Sequence, residues 1–127
     1  MLKMVLLALL GLITASCPLT LPGSRCATEK ISFTQKDGCL NDGSFEFCIP
    51  QDDPEAMAAM LEITPNAQCI VGSMGRAGCD LATQMLCLVD RDGMCVENYA
   101  MSDAGWQTVC DLASLPFIQQ LVPTWYE

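Results

Sequence analysis

Histidine is absent from the 127 residues of this chain. That removes the imidazole base on which Ser–His and Cys–His catalysis depends. Close cysteine pairs are absent too: there is no C-x-x-C, and at least seven residues separate any two neighbouring cysteines. Structural zinc, iron–sulfur and thioredoxin-like chemistry all use tighter spacing. Basic residues are scarce, six against fifteen acidic ones, for a formal net charge of −9. Such a surface repels phosphate backbones, so nucleic acid is excluded as an expected partner. It also disfavours polybasic docking to anionic lipid. The glycines at 72, 75 and 78 form neither GxGxxG nor a P-loop, and no cofactor is expected. Beyond the N-terminus no apolar run approaches the roughly 20 residues of a bilayer-spanning helix.

What is present begins with MLKMVLLALLGLITAS, residues 1–16. One basic residue, Lys3, precedes an apolar and small-residue run from Met4 to Ala15. Its length suits the core of a signal peptide and is too short to span a membrane. Ile13-Thr14-Ala15-Ser16 offers small residues for cleavage after Ala15 or Ser16, and Cys17 follows at once. The stretch resembles a bacterial lipoprotein signal peptide, cut just before a cysteine whose thiol carries diacylglycerol. Thr14 departs from that pattern, where leucine is usual, while Ala15 and Ser16 fit. The resemblance covers residues 13–17 alone and implies lipidation of Cys17. Parity agrees: of nine cysteines, setting Cys17 aside leaves eight that can pair completely.

Those eight are Cys26, Cys39, Cys48, Cys69, Cys79, Cys87, Cys95 and Cys110. In an exported chain they read as disulfides, with on the order of a hundred possible connectivities. Local bridges Cys39–Cys48 and Cys87–Cys95 would require long loops, because tight Asp-Gly hairpins would set Cys48 opposite Asp37 and Cys95 opposite Asp90. Residues 17–25, CPLTLPGSR, have the composition of a tether. Residues 26–127 suit one disulfide-rich domain.

Within that domain Phe45, Phe47 and Ile49 alternate with Ser44, Glu46 and Cys48, a strand pattern. Asn41-Asp42-Gly43 supplies a turn before it, and Ile31 and Phe33 are placed on a partner strand. Asp52 or Asp53 caps a helix with Pro54 at its first position, which Pro65 and Asn66 stop. Gly72, Gly75 and Gly78 mark a loop, and Cys79–Leu88 is expected to be a short helix leading into a strand. Asp90–Gly93 reads as a turn, with Met94–Val96 returning. Ser102 or Asp103 caps a second helix, where Trp106, Val109, Cys110 and Ala113 share one stripe. Ser114-Leu115-Pro116 is expected to restart a helix ended by Pro123, and 124–126 to form an edge strand. The fold class expected is α+β, two main helices packed on short antiparallel strands.

Few residues offer chemistry. Asp52, Asp53 and Glu55 could serve a carboxylate enzyme, but acids at a helix start are explained by capping. Asp90 and Asp92 resemble the middle of an EF-hand loop, yet Leu88 and Tyr99 occupy positions where that loop needs acids. They are weak calcium candidates, and no metal is expected. Met57 and Met60 are soft enough for copper but lie in an apolar helix that needs core contacts. Arg76, Trp125 and Tyr126 are the residue types that dominate interfaces, although the plainer and preferred reading has Trp125 closing the core and Arg76 merely solvated. The reading is an exported lipoprotein on the periplasmic or outer surface of a membrane, a non-catalytic binding or structural module with a protein partner. The alternative is a freely secreted protease inhibitor or toxin, displaying loop 72–78 or 90–93.

Overall fold

A computed structural model describes residues 26–90 and 93–125. The leader, Cys17, the tether, Asp92 and Tyr126 lie outside the described residues. The fold is α+β. A single 3-10 turn, Thr28–Lys30, is followed by strand β1 (Phe45–Pro50), helix α1 (Pro54–Ile63), strands β2 (Gln68–Ile70) and β3 (Gln84–Val89), helix α2 (Asp103–Ala113) and strand β4 (Leu121–Pro123). The sheet order is β2-β3-β1-β4, and every pairing is antiparallel. β1 is therefore interior, with Phe47 opposite Cys87 on one side and Leu121 on the other.

The period-two pattern of β1 sorts its side chains onto two faces. Phe45, Phe47 and Ile49 join Met85, Cys87, Val89 and Leu121 on the face covered by the helices. Met60 of α1, Val109, Leu112 and Ala113 of α2, and Ile118 complete this core. Each large apolar side chain buried here contributes about 1.5–3 kcal/mol. Met60 is fully buried, as core filling requires.

Both helices start where their caps dictate. The Asp53 carboxylate accepts from the Ala56 amide at 3.0 Å, and Pro54 occupies the first turn without losing a hydrogen bond. The Ser102 hydroxyl accepts from the Gly105 amide at 2.9 Å. Cys110 lies on the buried stripe of α2 and is bonded to Cys26.

Several local expectations fail, some to long-range pairing and some to local turns. β3 and β4 occupy both edges of β1, so Ile31 cannot pair with it. Ile31 instead bridges Leu121 in parallel, and the Ser32 amide donates to the Leu121 carbonyl at 3.1 Å. No helix forms after Cys79: Asp80 accepts from the Ala82 amide, a turn follows, and β3 begins at Gln84. Residues 94–96 do not return along β3; Cys95 bridges Met101. Ser114–Phe117 form turns rather than a helix, and the edge strand is Leu121–Pro123, three residues before the expected one.

Four disulfides join Cys26–Cys110, Cys39–Cys95, Cys48–Cys79 and Cys69–Cys87. Neither of the two local bridges considered from the sequence is formed. The closed loops span 84, 56, 31 and 18 residues. In the chain-entropy model, the bridge closing 84 residues stabilises by about 4.6 kcal/mol, and that closing 18 by about 3.2 kcal/mol. Bridges of this kind persist in an oxidising, extracellular or periplasmic setting. Among the described residues no helix is long and apolar enough to cross a membrane.

Candidate functional site

The face of the sheet turned away from the helices carries Glu46, Cys48, Leu86 and Leu88. An antiparallel sheet commonly leaves such a face to water. Here the segment after β2 covers part of it. Ala77 and Cys79 pack on Cys48 and Leu86 as a second apolar cluster, with Leu88 and Val122 at its margin. The covering segment runs from Ile70, the last residue of β2, to Gly78 between two cysteines, each bonded to a different strand. Cys69 is bonded to Cys87 of β3, its direct partner across the β2–β3 pairing. Cys79 is bonded to Cys48 of β1.

Glu46 fixes the middle of the loop. Its side chain is 3 % exposed. One carboxylate oxygen accepts from the backbone amides of Arg76 at 2.5 Å and Ala77 at 3.0 Å. The other accepts from the Thr124 hydroxyl at 3.0 Å. A carboxylate buried without partners would be costly; three donors make this one a fastening. The Gln120 amide donates to the Ala77 carbonyl at 2.6 Å, and the Cys79 amide to the Met74 carbonyl at 2.9 Å. Gly75 permits the close approach. Its φ is +60°, and a Cβ there would collide with the Glu46 carboxylate and lie 2.7 Å from the Leu86 methyl groups.

The outer side of the loop is apolar and open. Ile70, Val71 and Met74 are 48 %, 64 % and 54 % exposed, and Arg76 is exposed as well. A held backbone with projecting large side chains loses little freedom on binding. That is the physical capacity of this arrangement: display, with low ordering cost.

The structure distributes the other predicted residues away from one another. Trp125 does not close the core; it is 46 % exposed beyond β4. Phe33 takes the inner aromatic position instead, 6.1 Å from both Phe45 and Trp106 between ring centres. Asp53 is engaged as a cap, while Asp52, Glu55 and Asp90 are exposed. Among the described residues no three Asp, Glu or Cys side chains converge as a metal site would require. The open grooves beside Met101, Leu88 and Trp125 each contain one carboxylate, from Asp103, Asp90 and Asp37.

Sequence reasoning passed over Glu46, reading it as the polar alternate of a half-buried strand. The signal that marks it is Cys48, two residues on and therefore on the same face. A disulfide from that face needs an element lying over it, and the same element seals Glu46. No protein-family model matches this chain, and neither a curated protein nor a solved structure shows significant similarity to it.

Proposed function

We propose that this chain is an exported, non-catalytic binding module, attached to a membrane through a lipid on Cys17 and meeting a protein partner through the Ile70–Gly78 loop. The observation that carries the binding role is the fastening of that loop: Cys69–Cys87 and Cys48–Cys79 at its ends, Glu46 beneath its middle. Three exposed apolar side chains stand on it, in a chain whose surface charge is otherwise strongly acidic. The anchor rests on the lipobox-like residues 13–17 and on the complete pairing of the other eight cysteines.

A photo-crosslinker placed at Met74 in cells of the native host tests the loop. The expected result is one discrete adduct, lost when Val71 and Arg76 are changed to Asp and Glu and absent from a probe at Glu62 on α1. Equal labelling from both positions contradicts the loop assignment. Replacing Cys17 by Ser is expected to move the protein from the membrane fraction to the soluble fraction.

The same fastening supports a second reading, a freely secreted protease inhibitor, since inhibitors also need a loop held in one shape. It is separated by assay. Inhibition of a protease that cleaves after basic residues, abolished by Arg76→Ala, favours it over the tethered module.

A further inference from the structure

A groove lies beside the β4 edge of the sheet, and none of the Ile70–Gly78 residues lines it. Phe33, Thr34, Asp37, Leu40, Pro123 and Trp125 line this open groove of about 290 Å³. This is near the lower limit of small-molecule pockets, a size for one side chain rather than a cofactor. Trp125 and Leu40 project beside it, 46 % and 55 % exposed. Phe33 is held from behind by the Phe45 and Trp106 rings. The backbone around Asp37 is also fixed: its amide donates to the Thr34 carbonyl and hydroxyl, both at 3.2 Å.

Charge selects the occupant. Among the described residues Asp37 is the one ionisable residue lining the groove; Lys36, its neighbour in sequence, lines a different groove beside Met101. An indole face attracts a cation, and more so when a carboxylate stands near and the whole molecule carries a formal charge of −9. The apolar walls match an aliphatic stem. We infer that this groove receives a lysine or arginine side chain of a partner protein, its stem along Leu40 and Pro123 and its charge between Trp125 and Asp37.

The test uses the disulfide-intact mature chain and blocked single amino acids: N-acetyl methylamides of lysine, arginine and norleucine. Norleucine has the aliphatic stem without the charge. Two-dimensional NMR follows the Trp125 indole N–H and the Thr34 and Leu40 amides. The expected result is saturable shifts with the lysine or arginine probe and none with norleucine at the same concentration. Asp37→Asn and Trp125→Leu, both at exposed positions, are expected to keep the native spectrum elsewhere. Each should weaken the probe by about two- to fivefold. Equal binding of norleucine, or unchanged affinity in both variants, overturns the assignment.

Discussion

Replacing Glu46 should loosen the Ile70–Gly78 loop without dismantling the domain, and the extent can be worked from its three hydrogen bonds. In Glu46→Leu the Arg76 and Ala77 amides lose their acceptor, and the Ala77 contact is buried. Each amide left unsatisfied costs about 1–3 kcal/mol, so the loop loses about 2–6 kcal/mol of local stability. Glu46→Gln is milder. Its amide oxygen still accepts from both backbone groups, and its NH₂ can donate to the Thr124 hydroxyl, which rotates to accept. Only the charge assistance is lost, about 1–2 kcal/mol. Because the two disulfides retain the loop ends, the loss should show as local opening. Hydrogen exchange at the Ala77 amide reads it directly. At about 1.4 kcal/mol per tenfold, protection should fall about five- to thirtyfold in the glutamine variant and more than about thirtyfold in the leucine variant. Protection of Val109, in the core of α2, serves as the reference. Unchanged Ala77 protection in Glu46→Leu would refute the claim that this carboxylate fastens the loop.

Three other perturbations address separate parts of the fold. Gly75→Ala should destabilise by at least about 1 kcal/mol, from positive φ together with collision against Glu46 and Leu86; the midpoint of denaturant unfolding with disulfides intact measures it. Limited treatment with a thiol should open Cys39–Cys95 first, because Cys95 is exposed whereas the more open cysteines of the other bridges are half-buried (Cys26, Cys69) or buried (Cys48). Alkylation and peptide mapping identify the order, and early appearance of Cys87 would contradict it. Ser102→Ala removes the cap of α2 and the hydroxyl that donates to the Gly93 carbonyl. A loss of about 1 kcal/mol is expected in the same unfolding assay.

The parts of this fold written in neighbouring residues are legible in the sequence. Asp53-Pro54 and Ser102 mark helix starts because a cap and its amide lie within three residues of each other. The alternation of Phe45, Phe47 and Ile49 marks β1 because a strand sorts side chains by parity alone. Partner choice is a different matter. β1 is flanked by β3 and by β4, which lies more than 70 residues downstream by number, and nothing near β1 records that Ile31 is displaced to the outer edge of β4. The disulfides are equally non-local, closing between 18 and 84 residues.

The candidate site was half visible. Glycines at 72, 75 and 78 mark a loop and Arg76 a contact residue, but the fastening depends on Glu46, 30 residues away from Arg76. Trp125 illustrates the opposite difficulty. Its type reads first as a core residue, and the placement of Phe33 against Phe45 and Trp106 leaves it outside.

Export, a lipid tether on Cys17 and complete pairing of the other eight cysteines are proposed together. Their most direct test is the intact mass of the mature protein from its native host, before and after reduction and alkylation. The predicted result is a chain beginning at Cys17, heavier by a diacylglycerol, with eight thiols that become alkylatable only on reduction. An unlipidated chain with nine alkylatable cysteines, or free thiols before reduction among Cys26 to Cys110, would contradict it.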